Sequence, residues 1–275
     1  MRKLGLIAGG GTLPVSLARH CRTTGREVFV VRLKGFAEPE LADFPGVDVG
    51  LAELGRAIRA MHDAACESVC LAGRVARPDF AQLKPDLRGL AALPGAIAAA
   101  RRGDDGLLSF MVHEFEKDGF IVEGADEVAG NLTLGPGPLG RCAPGPEHQA
   151  DVERALSAAR AVGALDAGQG AVCCDGLILA LEAQEGTDAM LGRVAGLPGE
   201  IRGDVSRRRG VLAKVCKPGQ EARVDLPTIG PRTVRGASDA GLAGIVGEAS
   251  RILVLERAEV VALADALGLF VLGVE

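Results

Sequence analysis

Apolar positions along this chain come in short solid runs that alternate with helical stripes, and never in one long block. Residues 4–7 are a solid apolar run between Arg2-Lys3 and Gly9-Gly10-Gly11, which reads as a buried strand. Residues 14–24 read as a helix, and the valine-rich residues 27–33 as a second strand. The pattern then predicts a helix over 55–65, a strand over Ser68–Ala72, helices over 87–101 and 106–118, and a return to the sheet at 121–123. Strands and helices alternating at this period predict an α/β fold: a mostly parallel, Rossmann-like sheet with helices on both faces, over residues 1–132.

Residues 135–146 hold four prolines and four glycines, too many for a helix or a central strand. The segment 133–148 is therefore expected to be a linker. The second domain, 149–275, is expected to be α/β with a mixed sheet. It opens with a helix over 149–162. Runs 171–174 and 177–183 flank Asp175-Gly176, a pair that suits a tight hairpin turn. Thr187 is placed to cap a helix running to about residue 195. A strand over 210–217, a helix over 237–249, a strand over 252–255, a helix over 258–267 and a strand over 269–274 complete the reading.

Composition narrows the picture. The 275 residues suffice for one large domain or two ordinary ones. There is no Trp or Tyr and only eight Phe, so a base would be held by backbone and aliphatic groups rather than by stacking. A net charge of −5 argues against nucleic-acid binding. The longest apolar stretch, residues 90–100, contains Pro94 and Gly95 and stops at Arg101-Arg102, too short to span a bilayer. Seven scattered cysteines read as reduced thiols of a cytoplasmic protein.

Candidate chemistry sits at two kinds of place. The first is a strand followed by Gly9-Gly10-Gly11-Thr12-Leu13-Pro14 and a helix, where backbone N–H groups at a helix N-terminus suit a phosphate. Pro14 replaces the third glycine of the dinucleotide fingerprint, and the second strand leads to Arg32 and Lys34 instead of a ribose-binding acid. A tight turn without a ligand is the bland alternative. Gly73-Arg74 also follows a strand and offers a guanidinium to phosphate. The second place is Glu185-Gly186-Thr187-Asp188, read with Lys214, Lys217, Asp225 and Thr228. Asp188 and Asp225 are hard oxygen ligands for an ion such as Mg2+, and two lysines supply countercharge. Taken singly, Thr187 and Asp188 could be helix-start residues and Asp225 a turn residue. No zinc-finger spacing, H-E-x-x-H, Walker A or G-x-S-x-G motif occurs.

These residues resemble one family. Gly9-Gly10-Gly11 to Pro14, Gly73-Arg74-Val75, Asp104-Asp105-Gly106-Leu107-Leu108, Glu185-Gly186-Thr187-Asp188, Lys214 to Pro218 and Asp225 to Thr228 resemble the UDP-2,3-diacylglucosamine pyrophosphatases of lipid A synthesis that are unrelated to calcineurin-like phosphoesterases. The resemblance implies Mg2+-dependent hydrolysis, with Mn2+ as a substitute, to UMP and 2,3-diacylglucosamine 1-phosphate. It implies attack on the sugar-side phosphorus and a substrate held between two domains. It also implies a cytoplasmic protein, peripheral on the inner face of the cytoplasmic membrane. Asp225, Lys214 and Asp188 are the expected catalytic residues, with Asp225 and Asp188 as metal ligands. Gly10, Gly11, Thr12, Leu13, Gly73, Arg74, Glu123, Gln169, Gly170, Thr187, Lys217 and Thr228 are the expected substrate-binding set. Residues 87–100 or the interdomain face would supply an apolar groove for two acyl chains. A homodimer is compatible with the sequence, which sets no oligomeric state. A Rossmann-type NAD-dependent oxidoreductase and a non-catalytic sensor of nucleotide sugars or lipids are the competing classes. The absent ribose-binding acid argues against the first, and the carboxylate pair against the second.

Overall fold

The computed structural model describes residues 1–76, 79–101, 103–218, 223–224 and 226–275. The chain forms two compact units. The first is Met1–Asn131 together with Arg223 and Val224; the second is formed by the described parts of Leu132–Gln220 and Leu226–Glu275.

In the first unit the strands are β1 (Leu4–Ala8), β2 (Val28–Leu33), β3 (Gly46–Val49), β4 (Ser68–Ala72) and β5 (Ile121–Val122). They form one parallel sheet of order β3-β2-β1-β4-β5. Every residue of the central β1 is buried, which is why it reads as a continuous apolar run rather than an alternating one. The helices are α1 (Thr12–Thr24), α2 (Leu54–Asp63), α3 (Leu87–Ala100), α4 (Asp104–Lys117) and α5 (Ala125–Val128). Ile7, Val31, Ile58, Met61, Val69, Phe115 and Phe120 form one core of this unit. The short β3, with Asp48 on its exposed side, was not legible as a strand; pairing with β2 defines it.

The second unit carries β6 (Gly137–Pro138), β7 (Gly170–Cys174), β8 (Leu177–Leu181), β9 (Val211–Lys214), β10 (Thr228–Ile229), β11 (Gly244–Glu248), β12 (Leu253–Val254) and β13 (Phe270–Val274). Six of them make a mixed sheet of order β6-β13-β11-β9-β7-β8, and β10 pairs with β12. The helices are α6 (Gln149–Ala164), α7 (Gly186–Ala195), α8 (Gly199–Arg202), α9 (Pro231–Asp239) and α10 (Arg257–Leu267). Asp175 and Gly176 both have positive φ, 49° and 78°, as the expected hairpin turn requires.

Three expectations are corrected here. The Pro/Gly segment 133–148 is built into the second unit rather than free. Leu134 is fully buried, and Gly137 and Pro138 pair with Gly273 and Leu272 of β13. Proline is tolerated there because β6 is an edge strand with no neighbour needing its N–H. Residues 237–249 are not one helix. α9 ends at Asp239, and β11 follows as a strand between β13 and β9. The run Gly244-Ile245-Val246-Gly247 is short and wholly buried, the case in which periodicity cannot separate strand from helix. A side chain at Gly244 would lie 2.4 Å from the Phe270 ring, so the glycine serves strand packing. Thr187, finally, does not cap α7: Glu185 holds that position, and the Thr187 hydroxyl turns to Glu182.

A buried ion pair ties the first unit together. Arg26, just before β2, meets Glu123, just after β5, with both guanidinium nitrogens 2.9 Å from the two carboxylate oxygens. Arg26 also donates to Ser68 Oγ at 3.0 Å. Burial pulls the Glu123 carboxyl upward, but the hydrogen bonds and charge of Arg26 outweigh it and hold the group below its ordinary 4.5. A depressed folded-state value means stability that is present above pH 4.5 and lost as pH falls through the folded value. Glu123→Gln should therefore cost about 3–5 kcal/mol at neutral pH, by leaving Arg26 uncompensated. In thermal melts the gap between variant and wild type should close as pH drops below the ordinary carboxylate range. A gap that stays constant down the acid limb would rule this coupling out.

Candidate functional site

In the first unit the expected phosphate loop lies where the sheet order reverses direction, at the C-terminal ends of β1 and β4, the usual ligand edge of an open parallel sheet. Gly10 and Arg74 exchange backbone hydrogen bonds of 2.9 and 2.8 Å, which locks the loop after β1 to the loop after β4. This approach requires glycine. A Cβ on Gly9 would lie 2.7 Å from the Arg74 carbonyl oxygen. One on Gly73, whose φ is +92°, would lie 2.8 Å from that of Gly10. Gly11 stands at the N-cap of α1, with Thr12 and Leu13 in its first turn. The Gly11 N–H donates to Glu38 Oε1 at 2.8 Å, so an anion from the chain itself already rests against this helix end. The Arg74 side chain is exposed. The position that a ribose-binding acid would take holds Arg32. Its guanidinium is bound to Asp48 at 2.7 Å and to the carbonyls of Leu41 and Phe44 at 3.2 Å, so nothing there grips a dinucleotide ribose.

In the second unit the expected residues gather around the start of β7. Gly170 pairs with Lys214 of β9 on one side and, through the Glu182 N–H to its carbonyl at 2.9 Å, with the chain leaving β8 on the other. Lys214 is 4 % exposed and donates to the Thr228 carbonyl at 2.8 Å. Gln169 precedes Gly170, and its Oε1 is buried without a hydrogen-bond partner. Thr187, in the first turn of α7, donates to Glu182 Oε1 at 2.9 Å. That hydrogen bond engages its one proton, so the Thr187 hydroxyl is left as an acceptor rather than the phosphate donor the sequence suggested.

Other expected residues lie apart from these groups. Asp188 is exposed and paired with Arg232 at 2.5 Å. Lys217 reaches Asp166 at 2.9 Å. Glu123 is taken up by Arg26. Asp225 lies outside the described residues. Sequence reasoning passed over Glu182, although an acid closing the apolar run Leu177-Ile178-Leu179-Ala180-Leu181 was a signal. It also passed over Glu38, which local sequence gave no means of finding, since it lies 27 residues from Gly11.

Among the described residues no group of three or more His, Cys, Asp or Glu converges as a metal cage. A cavity of about 290 Å³ is lined by Gly199, Glu200, Gly203, Asp204, Arg207 and Arg209, none of them among the expected site residues. Arg209 there is bound to Asp175 and to the carbonyls of Gly199 and Glu200.

Comparison with known proteins agrees with the residue pattern. The LpxI N-terminal domain model matches residues 3–132, and the LpxI C-terminal domain model matches residues 135–272. The UDP-2,3-diacylglucosamine pyrophosphatase LpxI of Caulobacter vibrioides is 61% identical over 275 residues, which cover 100% of this chain and 98% of that protein. With both domains present and the match running end to end, the chain belongs to the LpxI family.

Proposed function

We propose that this protein hydrolyses UDP-2,3-diacylglucosamine to UMP and 2,3-diacylglucosamine 1-phosphate in lipid A biosynthesis. The observation that carries the reading is the 61% identity, over the whole chain, to a pyrophosphatase of that name. The chemistry of the second unit supports it. A buried lysine stands beside a glycine strand end, and a buried ammonium is the kind of group that neutralises a diphosphate. In the reaction a water oxygen bonds to the sugar-side phosphorus, the bond from that phosphorus to the bridging oxygen breaks, and UMP leaves with the electron pair. Lys214 offsets the charge that grows on the phosphoryl oxygens.

Mg2+, or Mn2+ in its place, is the proposed ion. Asp188 would serve as a hard ligand on release from Arg232, and a Mg2+ site needs only one or two protein carboxylates when phosphate and water complete the shell. When bound, the ion supplies charge neutralisation at the diphosphate. Asp225 is the second proposed ligand, on the strength of the sequence.

α3 gives a reason for affinity to acyl chains or a membrane surface. Its sequence is almost entirely apolar, yet only Gly89, Ala99 and Ala100 are buried, and Leu87 and Leu90 are 89% and 56% exposed. Among the described residues no helix is long and apolar enough to cross a membrane. An apolar helix lying against the lipid surface would make the association peripheral.

Three outcomes test the reading. Purified protein with Mg2+ and UDP-2,3-diacylglucosamine should release UMP, and in oxygen-labelled water the label should appear in the sugar phosphate. Label in UMP would exclude attack at the sugar side. Asp225→Ala should lower kcat by about 100-fold or more while substrate binding changes far less, because a carboxylate near a diphosphate also repels it. Near-normal kcat in the folded variant would end that assignment. Leu87→Ser with Leu90→Ser should reduce co-sedimentation with anionic phospholipid vesicles. Unchanged sedimentation would remove α3 from the membrane contact.

A further inference from the structure

A carboxylate outside the expected site stands at the centre of the second unit's polar cluster. Glu182 is 6 % exposed. One of its oxygens accepts the Thr187 hydroxyl at 2.9 Å. The other, Oε2, is buried with no hydrogen-bond partner. Such an oxygen is costly to a fold, since it has lost water and gained nothing in return. Packing does not require it: what surrounds the spot beside Gly170 is the Met190 methyl and backbone, where a neutral side chain of the same shape would serve.

Register explains where this oxygen points. Glu182, Gly170 and Lys214 form one row across three adjacent strand ends, through the Glu182 N–H to Gly170 carbonyl bond and the Gly170–Lys214 pairing. Residues in such a row project to the same face of the sheet. That face is the one covered by α7: Val172 and Leu212, two residues along from Gly170 and Lys214, pack in one core with Met190, Leu191 and Val194. Gly170, in the middle of the row, has no side chain. Glu182 Oε2 occupies that gap, 2.5 Å from where a Cβ on residue 170 would stand, so the carboxylate leans from the β8 side over β7 toward the lysine side. Gly168 helps bring it there, because a Cβ on that residue would lie 2.2 Å from the Glu182 carbonyl oxygen.

We infer that Glu182 is a positioning residue for the pyrophosphatase reaction. It holds the Thr187 hydroxyl by accepting its proton, and it supplies buried negative charge in the row that carries Lys214. Glycine at 170 is the structural requirement for that arrangement. The inference rests on the proposed activity and goes beyond it by assigning Glu182 a role in it.

The test uses the full-length protein and UDP-2,3-diacylglucosamine, with kcat, KM and Tm measured for wild type, Glu182→Gln, Glu182→Asp and Gly170→Ala. Glu182→Gln keeps the size of the side chain and an acceptor for Thr187 but removes the charge. Its kcat should fall roughly 10- to 100-fold, the scale of losing a group that orients a reacting one, with KM changed far less. Its Tm should stay close to that of wild type, because one unpartnered buried group, the carboxylate oxygen, is exchanged for another, the amide N–H. Glu182→Asp should recover part of kcat. Gly170→Ala should lower kcat by pushing the carboxylate aside, and combining it with Glu182→Gln should add little, as expected of residues that act as a unit. A folded Glu182→Gln with kcat within about twofold of wild type would overturn the inference. So would a fall in Tm with unchanged turnover per folded molecule, or failure of both position-182 variants to fold, since Glu182 would then serve the fold alone. An inactive wild type would sink the proposed function and this inference with it, whereas an active wild type with an indifferent Glu182→Gln sinks only the inference.

Discussion

Close approach of backbone at strand ends, which only glycine permits, governs where charged groups can gather in both units. In the first, Gly9 and Gly73 let two loops touch at the C-terminal edge of β1 and β4, and Gly10 and Arg74 then bond through their backbones. In the second, Gly168 and Gly170 let a glutamate lie over a neighbouring strand. A methyl group at any of these four positions would meet backbone or a carboxylate at 2.7 Å or less, or at 2.8 Å for Gly73. β1, β4, β7 and β9 are largely apolar because nearly every residue in them is buried. The glycines mark where that apolar frame opens to polar chemistry.

The buried charges divide by how completely they are matched. Arg26, Glu123 and Ser68 form a closed set, with both carboxylate oxygens bound, and their work is to join β2, β4 and β5. Glu182 is open: one oxygen is bound and one is not. A closed ion pair is explained by the fold that contains it. A half-matched carboxylate is not, and the row it shares with Gly170 and Lys214 is what the proposed positioning role rests on.

Among the described residues no group of three or more His, Cys, Asp or Glu converges, carboxylates included. The cysteines are drawn into the interior instead. Burial, aided by the neighbouring Asp151, raises the Cys173 thiol to about 12, and burial with Asp175 raises Cys174 to about 11, which makes both inert packing groups. Six of the seven are buried and none is bridged. Apolar chemistry is equally segregated: the cores take the branched residues, while α3 leaves Leu87 and Leu90 uncovered.

The α/β class, the hairpin at Asp175-Gly176 and the glycine loop after β1 were legible in the sequence because each depends on local physics. Solid apolar runs encode buried strands, a positive φ calls for Asn, Asp or Gly, and a strand-glycine-helix order encodes a turn of known shape. Lys214, Gln169, Gly170, Thr187 and Thr228 could be named, but not their mutual arrangement. The strand at Gly244–Glu248 was misread because a four-residue apolar run has no period, and only its place between β9 and β13 makes it a strand. Residues 133–148 read as a linker because proline forbids a central strand, whereas an edge position removes the objection. Glu38 on Gly11, Arg26 on Glu123 and Glu182 in one row with Lys214 were decided by tertiary structure alone. Each joins groups 27 or more residues apart in sequence, and composition and spacing carry no record of which distant side chain a register will bring to a given backbone gap.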